Sequence, residues 1–385
     1  MAERIGILGG GQLARMLLQA AIPLGLEATV LAAREDEPAA LVARRTVLGD
    51  LRDPAVLNQF AALVDVVVLE NEFIGSDALE LLAARRLRLV PAAATLAIIE
   101  DKARQKQVLA DAGLPVPPLA LIDSPADLER AGAELGWPLM LKTRRNGYDG
   151  RGTAKVAGPE DCERACASLG WPANPLYAEA WVPFATELAT LVIRSVSGEE
   201  RVYPVVETIQ PTGVCRIVRA PAPVAAPIAA EAARIARAAA EAVGSLGILA
   251  VEMFLTEDGR VLLNELAPRP HNSGHYSIEG CHCSQFENAL RAALGWPLGD
   301  PGLCAPAAAM VNILAPTARP IDAALTGPAL AVPGARVHWY DKRAARPGRK
   351  IGHVTAVGDD LAAVEALAQH AVTQLETGLA QGGTA

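Results

Sequence analysis

Short runs that are apolar throughout alternate, over the first part of the chain, with longer stretches carrying an apolar residue every three or four positions. Residues 4–8, 28–31, 64–69 and 87–91 read as strands buried on both faces, the pattern of a parallel sheet, and residues 12–24 read as a helix after the first of them. This alternation predicts an open parallel α/β sheet domain over residues 1–98. A helix over 99–112, stopped by Gly113 and two nearby prolines, leads to a strand at 139–142 and an alanine-rich helix at 225–242. Residues 250–255 and 260–263, flanking Asp258-Gly259, read as a hairpin. Beyond Trp296-Pro297-Leu298 proline and glycine become denser, and β-like runs at 309–314, 335–340 and 352–357 predict a small β-rich C-terminal domain over 301–385 whose residues 378–385 are a loose tail. The fold class is α/β and α+β, with residues 99–300 as the middle part.

Chemistry-bearing residues gather where these strands end. Gly9, Gly11 and Ala14 fit G-x-G-x-x-A, a turn that frees backbone amides at a helix N-terminus to approach a phosphate. The acid that a dinucleotide site places after the second strand is replaced by Ala33 and Arg34, so the turn reads either as a phosphate site for another ligand or as a tight turn alone. Glu70 and Glu72 close the strand 64–69 at the ligand edge of an open sheet, where they suit sugar hydroxyls or plain solvent. Lys102 and Lys106 lie one turn apart on the next helix. Lys142 runs into a loop over residues 143–152 whose glycines free the backbone to cradle phosphates, with Arg144, Arg145 and Arg151 as further countercharge. A solvated hairpin tip has a similar composition but gives no reason for Tyr148 and Asp149 among the glycines.

The densest group is the run 264–275 behind the hairpin. Pairing brings Glu252 and Glu265 onto one face, and two close carboxylates repel unless a hard divalent cation lies between them; magnesium with a nucleotide phosphate suits such oxygen ligands, manganese being the alternative. Arg269 and His271 add a cation and a proton carrier. The competing reading is a surface ion pair of Glu265 with Arg269 on a proline-bounded loop.

A chain of 385 residues, 51% hydrophobic and 20% charged, has ample core for two or three domains. A net charge of -8 argues against a nucleic-acid partner, so the basic run 342–350 reads as a small-anion site or a solvated loop. No apolar stretch is long enough to span a bilayer and no targeting segment is evident, so a cytoplasmic setting without a membrane partner is expected. Six scattered cysteines fit a reducing compartment; Cys281-His282-Cys283 with Cys304 or His275 is the one zinc-like grouping, and it lacks a second closely spaced pair.

A lysine with a glycine-rich loop, an acidic segment after a linking strand, and paired glutamates with Asn264 follow one another in the order that resembles the ATP-grasp family. The runs 146–152, 264–275, 338–342 and 346–353, with 9–16 and 284–287, are similar to those of the 5-(carboxyamino)imidazole ribonucleotide synthases of purine biosynthesis, and the resemblance covers nearly the whole chain. It implies an ATP-grasp fold over 99–300, with a nucleotide-covering lobe at about 115–180, between the N-terminal sheet domain and the small C-terminal domain. It implies an ATP-dependent carbon–nitrogen ligase that carboxylates the amine of aminoimidazole ribonucleotide with bicarbonate through carboxyphosphate. Lys102, Lys142, Asn146, Gly147, Tyr148, Gly150, Arg151, Gly152, Glu179, Ala180, Trp181, Val182, Glu187, Gln210 and Asn264 would hold ATP, and Glu252 and Glu265 the magnesium. Tyr148 and Asp149 would meet the aminoimidazole, with Asp149 as the base; Arg269 and His271 would hold bicarbonate. Gly11, Gln12, Leu13, Lys342, Arg349 and Lys350 would hold the ribonucleotide phosphate, Lys342 doubling as an acid, and Glu72 would reach the ribose. The family usually has Glu-Phe-Glu-Asn where this chain has Glu70-Asn71-Glu72-Phe73, and often asparagine and histidine where it has Thr208 and Gln210. A formate-using ribonucleotide transformylase, a biotin-type carboxylase, a nicotinamide dehydrogenase and a non-catalytic nucleotide sensor are the alternatives, and a homodimer is the expected assembly.

Overall fold

Five strands, the central three buried throughout, form the parallel amino-terminal sheet in the order Arg45–Leu48, Ala28–Ala32, Ile5–Leu8, Val66–Leu69, Arg88–Val90. In this computed structural model, which describes residues 3–147, 150–211 and 213–380, the strand order reverses at Ile5–Leu8. That reversal opens a crevice between the carboxyl ends of Ile5–Leu8 and Val66–Leu69, where Gly9 to Gly11 and Glu70 to Glu72 meet. The expected helix over 12–24 is α-helical only over Gln12–Ala21; Ile22–Leu24, with Pro23 inside, tightens to a 3-10 turn that Gly25 ends at φ 67°. The expected helix over 99–112 starts only at Lys102 and runs to Asp111, after a separate helix Ala93–Ile99, because Asp101 leaves helical geometry to cap it by accepting from the Arg104 amide.

Residues 119–180 build a four-stranded antiparallel sheet in the order Leu119–Ile122, Leu176–Ala180, Leu139–Thr143, Thr153–Val156, backed by the helices Pro125–Leu135 and Cys162–Ser168 over a core of their own. The remaining strands form one antiparallel sheet of nine. It begins with the hairpin Val261–Ala267 and Gly247–Thr256 and continues through Phe184–Arg194, Val206–Ile209 and Ile217–Ala220. The C-terminal strands Ala307–Leu314, Lys350–Gly358 and Arg336–Trp339 are not a separate sheet, because Met310 pairs with Val218 and extends the same one. The helix Ala226–Ala242 buries its alanine face on the hairpin side. Leu361–Ala380 covers the far end, so residues 378–380 are helical where a loose tail was expected, and Leu379 is buried.

Candidate active site

The hairpin register sets the site. Glu252 stands directly opposite Glu265, but Met253 is opposite Leu263, so Asn264 is an extra residue that breaks the ladder. Such a bulge turns neighbouring side chains off strict alternation. Asn264 and Glu265 both line a cleft of about 520 Å³, together with Glu252 and Phe254, while Met253 and Leu263 enter the core. Burial, and then the charges of Glu265 and Glu187, push the Glu252 carboxyl up to about 8. Lys102 Nζ lies 2.8 Å from Glu265 Oε1. Burial opposes the Lys102 charge, yet Glu265, Glu252 and Glu72 hold its pKa above the ordinary value. Among the described residues no cluster of three or more His, Cys, Asp or Glu side chains is arranged to hold a metal, so the zinc-like grouping at Cys281 to Cys283 is not formed. Two facing carboxylates, one of them short of a partner, do fit magnesium, which takes few protein ligands and completes its shell with phosphate and water.

The loop behind the hairpin carries the anion side. Arg269 grips Glu72 with a guanidinium fork, Nη2 reaching Oε1 at 2.8 Å and Nε reaching Oε2. Burial works against both charges, but the pairing lowers the Glu72 pKa and raises that of Arg269. Glu72 therefore ties the amino-terminal sheet to the bicarbonate candidate. His271 Nδ1 accepts from the Ser273 amide at 3.3 Å, which leaves the proton on Nε2, 3.6 Å from Glu252 Oε1. Burial, with Arg269 next, lowers its pKa well below the ordinary value, so the ring is neutral at pH 7.

On the nucleotide side, Lys142 Nζ lies 2.7 Å from Glu179 Oε2 and Lys106 Nζ 3.0 Å from Glu179 Oε1. Although burial opposes ionisation, the two lysines hold Glu179 down at about 2. Ala180, Trp181 and Val182 follow along the cleft wall, which Met140 and the stacked rings of Phe184 and Phe254, 4.7 Å apart, complete as an apolar slot. Glu187 accepts from Gln210 Nε2 at 2.6 Å, and burial still raises its pKa to about 7. Gln210 also reaches Thr208 Oγ1 at 3.3 Å, so both departures from the family pattern lie in one contact beside the cleft.

The glycine loop is anchored more than it is charged. Arg144 binds Asp101 and Arg145 binds Glu100, which removes two of the three arginines read as phosphate countercharge; Arg151 and Gly150 line the cleft. Asn146 at φ 62° and Gly147 border a smaller adjoining cavity of about 130 Å³. Gly152, at φ 77°, packs so closely on Thr143 that a Cβ would lie 2.5 Å from its Oγ1. Tyr148 and Asp149 lie outside the described residues.

The first glycine turn packs against Glu70. A Cβ on Gly11 would lie 2.2 Å from Glu70 Oε1, and the Glu70 carboxylate accepts from the Leu13 amide, so the turn makes room for Glu70. Gln12 and Leu13, but not Gly11, line the cleft. Lys350 lines it too, whereas Lys342 and Arg349 stand behind: Lys342 Nζ donates to the Lys350 carbonyl at 2.7 Å and Arg349 Nη1 to the Ala344 carbonyl at 2.8 Å. Burial, then Arg346 and Arg34, lower the Arg349 pKa, the mark of a locally positive surface. Reading the sequence missed Met140, Phe184, Phe254 and the role of Lys106; only Phe254 carried a signal, two residues along the strand from Glu252 and hence on its face.

Comparison with known proteins gives three consecutive matches. Residues 1–100 match the ribonucleotide synthetase preATP-grasp domain, 107–286 the ATP-grasp domain and 308–367 the phosphoribosylaminoimidazole carboxylase C-terminal domain. The N5-carboxyaminoimidazole ribonucleotide synthase of Mycobacterium tuberculosis is 41% identical over 367 residues, 94% of this chain and 85% of that one. The crystal structure of carboxyaminoimidazole ribonucleotide synthase from Aspergillus clavatus complexed with ATP superposes with a TM-score of 0.90 at 36% identity, covering 98% of this chain and 99% of its own. The same enzyme in complex with ADP and 5-aminoimidazole ribonucleotide gives 0.89 at 36% identity, over 97% and 99% of the two chains. A pre-ATP-grasp sheet, an ATP-grasp body and a fused carboxylase C-terminal region, with identity at this level along almost the whole length, show that the chain belongs to the N5-carboxyaminoimidazole ribonucleotide synthase family.

Proposed function

We propose that the chain uses ATP to activate bicarbonate and transfers its carboxyl group to the exocyclic amine of 5-aminoimidazole ribonucleotide, in purine biosynthesis. A bicarbonate oxygen attacks the γ-phosphorus and ADP leaves; the amine nitrogen then attacks the carboxyl carbon, the bond to phosphate breaks, and the amine gives up a proton. The observation that carries this reading is the position of Arg269 and His271, beside the carboxylate pair and in one cleft with the apolar slot. Membership of the family and the nucleotide complexes of its A. clavatus relative support it.

In this reading the slot of Met140, Ala180, Trp181, Val182, Phe184 and Phe254 takes the adenine, and Glu187 with Gln210 binds on its polar rim. Lys142, Lys102, Asn264 and the loop of Asn146, Gly147, Gly150, Arg151 and Gly152 hold the phosphates. Glu252 and Glu265 would hold Mg2+ or Mn2+, which supplies charge neutralisation on the polyphosphate. Arg269, its Nε and Nη2 edge held by Glu72, presents its remaining η N–H groups to bicarbonate, and the neutral His271 donates from Nε2. Gln12, Leu13 and Lys350, with Lys342 and Arg349 behind, receive the ribonucleotide phosphate; Tyr148 and Asp149 are assigned to the imidazole by the family resemblance alone, with Asp149 as the base for the amine proton. A homodimer is proposed as the assembly. A cytoplasmic setting is inferred from six free cysteines, and among the described residues no helix is long and apolar enough to cross a membrane.

The test is to incubate the protein with ATP, magnesium and bicarbonate, with and without 5-aminoimidazole ribonucleotide, and to follow ADP, phosphate and carbamate product. ADP formation that depends on both bicarbonate and the ribonucleotide is expected; ADP formation indifferent to both contradicts the reading.

A further inference from the structure

Gln285 opens the helix Gln285–Leu294 and is 0% exposed, though its side chain is polar. Its amide has one acceptor and two donors, and all three are used in one direction. Oε1 accepts from the His271 amide at 2.8 Å, and Nε2 donates to the His271 carbonyl at 2.8 Å. The same Nε2 lies 2.9 Å from His275 Nδ1. One side chain thus takes both backbone groups of His271 and one nitrogen of His275, and both histidines line the cleft. Its backbone is fixed in turn, since the Gln285 amide donates to Ser277 Oγ at 2.9 Å. The approach depends on Gly274, where a Cβ would lie 2.6 Å from Gln285 Oε1. With the main chain of His271 clamped from behind and its Nδ1 taken by Ser273, the ring has one nitrogen left to present.

We propose that Gln285 is a positioning residue for the carboxylation, holding His271 so that Nε2 faces bicarbonate beside Glu252. The inference rests on the proposed function of the cleft. Its effect falls on bicarbonate rather than on ATP or the ribonucleotide, because none of the three bonds reaches the apolar slot or the basic run at 342–350.

Gln285→Met removes all three bonds at similar volume, and Gln285→Glu keeps the acceptor while losing both donors when ionised. Expected for the Met variant is a KM for bicarbonate raised about tenfold to a hundredfold, the range for groups that orient a functional ligand, with KM for ATP and for the ribonucleotide within about twofold. The Glu variant should fall between it and the wild type. In a His271→Ala background Gln285→Met should add nothing further to the bicarbonate requirement, since the two act as one unit. An unchanged bicarbonate KM, equal losses in all three substrates, or additive losses in the double variant each overturn the inference and leave Gln285 a core residue. So does failure of both the Met and the Glu variants to fold. Wild-type protein without bicarbonate-dependent ADP formation sinks the proposed function instead, so the two failures are distinguishable.

Discussion

Lys102 and Lys106 stand one turn apart on the same helix and meet opposite circumstances. Lys106 is 1% exposed and shares Glu179 with Lys142, so this region holds two lysines to one carboxylate. Lys102 looks into the cleft, where Glu265, Glu252 and Glu187 outnumber it. The first region has a surplus of positive charge that reaches the cleft through Lys142; the second has a surplus of carboxyls, of which Glu252, at about 8, keeps its proton at pH 7 until a cation replaces it. A polyphosphate with its divalent cation cancels both at once, the anion against Lys142 and the cation against the glutamates. Neither surplus is explained by stability alone, because a buried charge without a partner costs free energy.

The largest effect expected from breaking this contrast is on stability. Lys106→Met leaves Glu179 deep in the protein with one partner instead of two, and unfolding in urea should show a loss of about 3 kcal/mol, the low end for a broken buried pair because Lys142 remains. Unchanged stability would make Lys106 a bystander. Glu265→Gln should do the reverse: turnover falls roughly a hundredfold or more, as for loss of a group acting in the transition state, while the melting temperature stays near that of the wild type. Lys142→Met should weaken equilibrium ATP binding about tenfold to a hundredfold, the worth of a charge-assisted hydrogen bond, and a variant that binds ATP normally would remove the positive surplus from the account.

The smallest effect is a difference in pH slope. Glu179 is held at about 2 against an ordinary 4.5, so its contribution is complete above pH 4.5 and is lost as pH falls toward 2. Glu252 is displaced the other way, to about 8, so the folded state binds its proton more tightly than the unfolded chain, and metal-free protein should lose stability as pH rises from 4.5 to about 8. Glu252→Gln should reduce that alkaline decline to the share that Glu187, raised to about 7, contributes, and leave the acid one intact. Urea titrations across pH in a chelator would read both slopes, and parallel slopes in the two proteins would contradict the difference between the regions.

Much of this was legible in the residues themselves. Gly9, Glu70, Glu72 and the hairpin glutamates were visible because strand period and turn chemistry are local, and Asp258-Gly259 marked the hairpin. What escaped was set by distant partners. Helical spacing puts Lys102 and Lys106 on one face, and only the sheet packed against them decides which is buried. The bulge at Asn264 is a property of register with Gly247–Thr256, and the joining of the C-terminal strands to the large sheet depends on Ile217–Ala220, some ninety residues before Ala307–Leu314. Arg45–Leu48 was missed because an edge strand with exposed Arg45 and Leu48 shows no buried run. The arginines of the glycine loop looked like phosphate ligands until Asp101 and Glu100 were found against Arg144 and Arg145.

The central claim is that Glu252 and Glu265 form the cation site that works with ATP, and calorimetric titration of Mg2+ into protein holding a non-hydrolysable ATP analogue, at pH 7 in two buffers of different ionisation enthalpy, tests it most directly. Because Glu252 sits at about 8, binding should release about one proton per ion and weaken as pH falls, and Glu252→Gln should release none. Equal magnesium affinity in wild type, Glu252→Gln and Glu265→Gln, with no proton released by any of them, would contradict it.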